Sequence, residues 1–138
     1  MKKFKLTDIT STIFGRKVYR IKALRDFSDV RKGDLGGWVE KEANLSQIDD
    51  CWVYGDGAIL QDAKVSGDAI VSESARVFET AEVFGKARVH GNAWVFQDAV
   101  IHGDADIGGK AEISGSEVIV EGHYYSQKIP MPYDREDK

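Results

Sequence analysis

Residues 63–113 read AKVSGDAIVSESARVFETAEVFGKARVHGNAWVFQDAVIHGDADIGGKAEI, and every sixth residue of this stretch is alanine. Valine or isoleucine stands two residues after each alanine, and the same spacing continues more loosely on both sides, from residue 37 to residue 122. Two positions that differ by two lie on the same side of an extended strand, whereas a helix repeats about every 3.6 residues. The period of six therefore predicts a stack of short strands, and it takes precedence over local propensity.

Corners of the chain are marked by glycine followed by a polar residue, as in Gly67-Asp68, Gly91-Asn92 and Gly103-Asp104. Glycine accepts the positive φ that a tight corner requires, and Asp and Asn favour turns. In a helix each of these glycines would cost roughly 1 kcal/mol, and an antiparallel sandwich needs longer alternating strands. The pattern predicts an all-β chain that turns a corner every six residues.

This ladder of alanine and branched aliphatic residues resembles the hexapeptide-repeat proteins. The resemblance implies a left-handed parallel β-helix of triangular cross-section with three hexads per coil, and residues 37–122 then make about four to five coils. In that family the aliphatic residue points into the prism and the small residue fits near a corner. The handedness comes from the resemblance, because most parallel crossovers are right-handed.

The entry segment GDLGGWVEKEANLSQIDDCWVYGDGA, residues 33–58, is similar to the start of the YdcK-type hexapeptide proteins. The short chain resembles the small phage-borne versions of that type. Because one fold hosts many functions, the likeness implies the fold and leaves the activity open.

Three parts are expected along the chain. Residues 1–36 are predicted to form an N-terminal cap with short strands at 13–15 and 17–24, residues 37–122 the β-helix, and residues 123–138 a C-terminal cap or tail. Terminal units of a solenoid usually differ in sequence because they cover its open end. Tyr124, Tyr125 and Ile129 are expected to fold over the last coil, and the phase slips at one enlarged corner, residues 47–50.

Charge and composition narrow the function classes. Residues 1–36 hold ten Lys or Arg against four Asp, while the whole chain has a net charge of −4, so the β-helix is acidic. The basic residues, Lys3 among them, could attract an anionic partner, but the segment 13–24 is interpreted as a half-buried hairpin with a solvated basic face, and a nucleic-acid surface would need a broader positive field. No apolar run is long enough for a membrane span and the N-terminus lacks the apolar core of a signal peptide, so a cytoplasmic location is expected. The single cysteine, Cys51, occupies an inward position and is interpreted as a small apolar filler.

Outward positions fall into three columns, because residues 18 apart stack on one face. The second and third columns carry apolar side chains that exceed what a soluble monomer tolerates, and we expect them to be covered by another copy of the chain. They meet at a corner where glycine is scarce. The family resemblance implies a homotrimer with this edge near the threefold axis. The expected interface residues are Leu60, Phe78, Phe96, Phe84, Val100, Val118, Val120, Gln61 and Gln97.

Candidate chemistry is sparse. The acyltransferases of this superfamily place a histidine base between subunits, and His102 is the residue that would take that role. A zinc site would need three converging histidines, but His90 and His102 are expected on different faces and no third ligand stands at a suitable spacing. No metal and no other cofactor is expected. The alternative is an aromatic and cationic cleft between subunits that would stack a planar anionic ligand such as a nucleotide. Its residues would be Arg76, Trp94 and Phe96 of one subunit with His102 and Lys64 of the next.

The leading functional hypothesis is a non-catalytic, trimeric binding module. As a phage accessory or counter-defence protein it would bind a host protein or sequester a small nucleotide-like signal. An acyltransferase that uses His102 and acyl-CoA is the first alternative. A purely structural protein, in which the outward aromatic residues only join the subunits, is the second.

Overall fold

The computed structural model describes residues 2–130, and it is a β-solenoid extended at its N-terminal end by a hairpin. The one helical element among these residues is a short 3₁₀ turn at Glu42–Asn44. The strands are β1 (Phe4–Ile13), β2 (Arg16–Ala23), β3 (Leu35–Val39), β4 (Trp52–Val53), β5 (Ala58–Ile59), β6 (Lys64–Val65), β7 (Ile70–Val71), β8 (Arg76–Val77), β9 (Glu82–Val83), β10 (Arg88–Val89), β11 (Trp94–Val95), β12 (Val100–Ile101), β13 (Asp106–Ile107), β14 (Glu112–Ile113), β15 (Val118–Ile119), β16 (His123–Tyr124) and β17 (Lys128–Ile129).

Three parallel sheets form the faces of the solenoid. The first face consists of β4, β7, β10, β13 and β16, and the third of β6, β9, β12 and β15. The second face contains β3, β5, β8, β11, β14 and β17 and continues into the hairpin strands β2 and β1. The predicted all-β fold and its stacked coils, about five in number, are confirmed, and the parallel pairing is consistent with the left-handed form that the resemblance implies.

The interior of the solenoid is the predicted ladder. Ala75, Val77, Ala93 and Val95 have no exposed surface, and the same holds along the ladder from Ala69 to Ile113. Each buried valine contributes roughly 1.5–3 kcal/mol relative to an exposed one. Alanine is the size that fits beside the corner, so a larger residue there would have to displace the neighbouring coil.

The N-terminal hairpin is longer than the short strands predicted from the sequence. Strand β1 already begins at Phe4, β2 pairs with it in antiparallel fashion, and β2 then pairs antiparallel to β3. Val18 of β2 packs with Ala58 and Leu60, and Ile13 lies against the same cluster. The hairpin therefore covers the first rows of the second face.

Two outward residues of the solenoid are buried by this N-terminal segment. Trp52 is covered by Phe4 and Phe27, whose ring centroids lie 6.3 and 5.1 Å from its own. Leu60 has no exposed surface. The expectation that Leu60 contacts another subunit is corrected, because the hairpin of its own chain already occupies that position.

Lys3 is one of the basic residues that the sequence offers to an anionic partner, but its side chain is buried in the structure. Its Nζ donates to the carbonyl oxygens of Asp49 at 2.5 Å and Cys51 at 2.7 Å and lies 3.4 Å from Cys51 Sγ. Burial lowers the pKa of Lys3 and raises the pKa of the Cys51 thiol. Cys51 is fully buried, as the sequence predicts.

The enlarged corner at residues 47–50 holds the start of the chain. Gln47 Oε1 accepts the backbone N–H groups of Lys3 at 2.7 Å and Phe4 at 3.1 Å, and Gln47 Nε2 donates to Phe4 O at 3.1 Å. The slip in the repeat therefore has a local structural role, because this corner binds the start of strand β1 in addition to connecting two faces.

Parallel strands continue past the predicted end of the solenoid at residue 122. His123–Tyr124 pairs with Asp106–Ile107, and Lys128–Ile129 pairs with Glu112–Ile113. Tyr124 and Ile129 are packed against the core, in line with the interior ladder. The predicted end of the β-helix at residue 122 is therefore corrected. The last coil has shorter corners, so the six-residue period is lost there. Its inward positions are kept, and the coil continues. Residues 131–138, the rest of the predicted tail, lie outside the described residues.

The corner between the second and third faces is built without glycine in three successive coils. Gln61, Glu79 and Gln97 have φ values of 58°, 60° and 57°, which a residue with a Cβ rarely adopts. Their side chains reach along the stack: Gln61 Oε1 accepts Glu79 N–H at 3.0 Å, and Glu79 Oε1 accepts Gln97 N–H at 3.0 Å. Gln97 Oε1 accepts the N–H of Gly115 at 2.7 Å. This corner ladder satisfies backbone donors and offsets the cost of the left-handed conformation.

Candidate functional site

Four aromatic side chains meet on the second face and are called the aromatic cluster: Phe14, Phe78, Trp94 and Phe96. Phe78 and Phe96 stack with centroids 5.0 Å apart and planes 2° apart. Phe14 lies edge-on to Phe78 at 5.1 Å and to Trp94 at 5.3 Å. Trp94 in turn lies 5.6 Å from Phe78 with an interplanar angle of 82°.

Phe14 comes from the hairpin turn and was not identified from the sequence. Phe14 and Gly15 both have positive φ, 54° and 74°, as in the two-residue turns that match the twist of a hairpin. Phenylalanine is unusual at such a position, because its Cβ disfavours a positive φ. The turn directs the ring onto Phe78 and Trp94, and 51% of Phe14 remains exposed. Only the register of the hairpin, a long-range feature, brings it there.

A depression of about 380 Å³ opens beside the cluster, between the hairpin turn and the corner ladder. It is lined by Phe14, Arg16, Gln61, Phe78, Glu79 and Trp94. Trp94 is 38% exposed, so aromatic surface is accessible there. Concave sites with aromatic walls and a few placed polar groups are typical of small-molecule binding. We call it the aromatic depression.

The charges around the aromatic depression are largely paired. Arg16 donates from Nε and Nη2 to the two carboxylate oxygens of Glu40, both at 2.7 Å. The hydrogen bond from Arg16 lowers the pKa of Glu40, which also accepts the backbone N–H of Gln61 at 2.8 Å. Glu79 lines the depression and takes part in no ion pair found among residues 2–130. The surface of the depression is therefore aromatic with a negative rim.

The ligand residues predicted from the sequence are only partly brought together by one chain. Trp94 and Phe96 belong to the aromatic cluster, and Arg76 lies beside Trp94 in the adjacent strand. The Arg76 guanidinium, however, donates to the backbone carbonyls of Asp56 at 3.1 Å and Ser74 at 2.8 Å. These bonds direct it to the corner between the first and second faces, away from the depression.

His102 and Lys64 lie on the third face. The His102 ring stacks on Phe84 with centroids 4.8 Å apart and planes 7° apart. Lys64 lines a separate depression together with Ser46 and Glu82. Neither side chain meets Arg76, Trp94 or Phe96 within the chain, and the predicted cleft would require a second copy.

The other expected interface residues are placed as follows. Phe78 and Phe96 are half-buried in the aromatic cluster, Gln61 and Gln97 belong to the corner ladder, and Phe84 and Val100 are half-buried on the third face. Val118 and Val120 are the most exposed apolar residues of that face, at 57% and 46%. Among residues 2–130, no segment covers the apolar side chains of Val118 and Val120 on the third face.

A polar network on the first face was missed by the sequence analysis. Asp106 Oδ1 accepts from His90 Nε2 at 2.6 Å, and Asp106 Oδ2 accepts from His123 Nδ1 at 3.0 Å and from the Tyr125 hydroxyl at 2.6 Å. Burial alone would raise the pKa of Asp106, but the hydrogen bonds from Tyr125, His90 and His123 together lower it. The bond to Asp106 raises the pKa of the Tyr125 phenol.

The network joins two coils to the C-terminal segment. His90 and Asp106 are 16 residues apart and lie on neighbouring strands, while His123 and Tyr125 belong to the last, shortened coil. His90 Nδ1 also lies 3.4 Å from Glu73 Oε1, so both ring nitrogens face carboxylates. His90 and Asp106 stand in one column of the sequence, which was the available signal. The shortened corners that bring His123 into this column could not be read from the hexad period.

Two searches of the described residues bear on function. Within residues 2–130, no group of three or more His, Cys, Asp or Glu side chains is arranged to hold a metal ion. The same part of the chain contains no helix that is both long and apolar enough to cross a membrane.

Comparison with known proteins gives a partial match. No family model matches the chain. Over 40 residues the chain is 45% identical to the uncharacterized acetyltransferase YdcK of Escherichia coli (strain K12). The match covers 29% of this chain and 12% of that protein, so the chain corresponds to a small part of its relative. Taken with the hexad ladder and the three parallel sheets, this match describes the chain as a parallel β-solenoid built of six-residue repeats that is similar to YdcK over part of its length.

Proposed function

We propose that the protein is a non-catalytic binding module, in which the rigid solenoid presents the aromatic depression to a small ligand. The observation that carries this proposal is the depression itself: about 380 Å³, walled by Phe14, Phe78 and Trp94. Exposed aromatic rings at a concave surface lose unfavourable contact with water when a flat or apolar ligand covers them. The corner ladder and the sheet hold the walls in place, so little order has to be created on binding.

A nucleotide-like ligand, which the sequence analysis expects in a cleft between subunits, would find partners in the depression of one chain only for its planar part. A phosphate needs cationic partners, and Arg76 is engaged by backbone carbonyls while Arg16 is engaged by Glu40. Glu79 adds a negative charge at the rim. We therefore expect an uncharged planar compound such as adenosine to bind better than its monophosphate, because the second carries charge of the same sign as the rim.

Ligand-observed NMR with a library of aromatic and alicyclic fragments, adenosine and adenosine monophosphate included, tests the binding function. Fragments that bind the depression should lose their signal change with the variant Trp94→Ala and keep it with Phe84→Ala. Phe84 is a matched control because it is a partly exposed aromatic residue on another face. If no fragment depends on Trp94, the depression is not a ligand site and the proposal is wrong.

Acetyl transfer is the second candidate, favoured by the printed name of the partial relative. The ring of His102 is stacked on Phe84, and no carboxylate among residues 2–130 orients either of its nitrogens. His123 is better arranged: Asp106 holds its Nδ1 at 3.0 Å, and 72% of the side chain is exposed. A carboxylate that orients a histidine in this way leaves Nε2 available as a proton acceptor.

Consumption of acetyl-CoA in the presence of a panel of amine and hydroxyl acceptors would test this candidate. Turnover that His123→Gln removes and His102→Gln retains would support transfer chemistry at the first face. Turnover that only His102→Gln removes would restore the base expected from the sequence. The absence of turnover with the whole panel, in a protein that binds fragments through Trp94, would favour the binding module.

Self-association is proposed through the third face, where Val118 and Val120 remain exposed beside Val100. An apolar strip of this kind is stabilised when another copy covers it. The homotrimer is the closed assembly that the family resemblance implies.

A further inference from the structure

We propose that the aromatic depression binds an organic cation, a quaternary or alkylated ammonium group; this inference rests on the proposed binding function and names its ligand class. The faces of aromatic rings carry negative potential, and a cation held over them is attracted without losing the apolar contacts of its alkyl groups. Quaternary ammonium ions are only weakly hydrated compared with a primary amine, and they therefore enter aromatic sites readily.

The ring arrangement supplies the first argument. Phe14, Phe78 and Trp94 stand nearly at right angles to one another, with interplanar angles of 68°, 72° and 82°. Rings in this arrangement present faces in different directions to the space that they border. Phe14 and Trp94 keep 51% and 38% of their surface exposed, so ring surface remains available to a ligand.

The corner ladder supplies the second argument. Gln61, Glu79 and Gln97 share the same left-handed backbone, and each side chain accepts one N–H group from the next coil. Glutamine performs this task at two of the three positions, so backbone capping does not require a charge. The charged member is Glu79, and together with Gln61 it lines the depression. Its carboxylate places a negative charge beside the three rings.

The surrounding charges supply the third argument. Arg16 is paired with Glu40 through two hydrogen bonds, and Lys41 Nζ lies 2.6 Å from Asp62. Within each of these pairs the two opposite charges compensate each other. Glu79, in contrast, belongs to none of the ion pairs found in the described part of the chain. A cation entering the depression would be attracted by the Glu79 carboxylate in its lining, and an anion would be repelled by it.

Choline and its neutral isostere 3,3-dimethyl-1-butanol are the probes that separate charge from shape. Titration is followed at the indole N–H signal of Trp94, assigned with the variant Trp94→Phe. We expect choline to bind about ten times more tightly than the isostere, the scale of a moderate cation–π and carboxylate contribution. Equal affinities of the two compounds would overturn the proposal.

Glu79→Gln is the decisive variant, because the chain itself uses glutamine at the equivalent positions 61 and 97. Its fold is checked by circular dichroism and thermal unfolding. We expect it to weaken choline binding severalfold and to leave the isostere unchanged. Unchanged choline binding in a folded Glu79→Gln protein would also contradict the proposal.

The outcomes distinguish the ligand class from the binding function. Fragments that bind through Trp94 while choline shows no preference over its isostere would refute the organic cation and leave the binding module intact. If no compound binds in a way that depends on Trp94, both the organic-cation ligand and the binding function are refuted. Phe84→Ala serves again as the control variant, since Phe84 lies on the third face and its removal should change neither titration.

Discussion

The ring of His90 lies where the side chain of residue 108 would stand, and residue 108 is glycine. A Cβ built on Gly108 would come within 2.7 Å of His90 Nε2, a distance that real Cβ atoms essentially never show. His90 uses this space to reach Asp106 on the adjacent strand. The missing side chain is therefore what allows the first-face network to form.

Gly108→Ala should displace His90 and weaken its bond to Asp106. We expect a loss of about 1–2 kcal/mol in the free energy of unfolding, the scale of a charge-assisted hydrogen bond plus local crowding. Urea denaturation measures this change in the free energy of unfolding. Ser72→Ala, at the equivalent outward position two coils earlier, should change stability by less than about 0.5 kcal/mol. Equal effects of the two variants would mean that the space above Gly108 does not matter.

Asp106 should make the stability of the protein depend on acid pH. Its folded-state pKa is lowered, so it stabilises the fold above the ordinary Asp pKa of about 4 and loses this contribution as the pH falls through the lowered value. Thermal unfolding between about pH 6 and pH 2.5 should therefore show a steeper loss for the wild type than for Asp106→Asn. A variant profile parallel to that of the wild type would contradict this assignment.

The corner ladder predicts an unusual order of substitutions at Gln97. Gln97→Ala removes the bond to the N–H of Gly115 and leaves a Cβ at a φ of 57°, and a loss of about 1–2 kcal/mol is expected. Gln97→Gly loses the same bond but relieves the backbone, so it should be the less harmful change. Denaturant unfolding of both variants gives the order, and a more stable alanine variant would show that the left-handed backbone is not strained.

Cys51 should be unreactive in the folded protein. It is fully buried, burial raises the pKa of its thiol, and Lys3 closes the same end of the interior. Thiol labelling with an aromatic disulfide reagent should be slow in buffer and fast in denaturant. Lys3→Met removes the ammonium that binds the carbonyls of Asp49 and Cys51, and labelling of Cys51 should become faster. Rapid labelling of the wild-type protein would show that this end of the solenoid is open.

Self-association through the third face predicts the effect of a charge at its most exposed residue. Val118→Glu should shift the wild-type assembly to monomers in light scattering at micromolar concentration, because a buried carboxylate at an apolar contact is costly. Lys110→Glu, an exposed position at a corner of another face, is the control. A wild-type protein that is already monomeric would exclude the interface.

The hexad ladder predicted the solenoid, its inward residues and the membership of each face, because the same local spacing decides all three. The ladder did not predict which residues at outward positions remain exposed to solvent. Leu60 and Trp52 stand at outward positions, yet the N-terminal segment buries them through contacts between residues far apart in the chain. A periodic pattern carries no information about which other segments of the chain pack over its outward positions.

The candidate site shows the same limit. Trp94 and Phe96 were predicted as a pair because their column is local in the repeat. Phe14 was not, since its position depends on the hairpin register, and the Asp106 network was not, since it joins different coils through shortened corners. The chemistry of Arg76 and His102 suggests a ligand or catalytic role, but the structure gives each a local partner that the sequence does not reveal.

The stacking interval of 18 residues also restricts how this chain can change its length. Insertion of one whole coil would lengthen the prism and leave each downstream side chain on its own face. Insertion of a single hexad between Phe78 and Trp94 would rotate everything after it by one third of a turn, so that Trp94 would leave the face of Phe78 and Phe14. A change in length by whole turns therefore preserves the composition of each face, whereas one extra hexad between two stacked residues separates them.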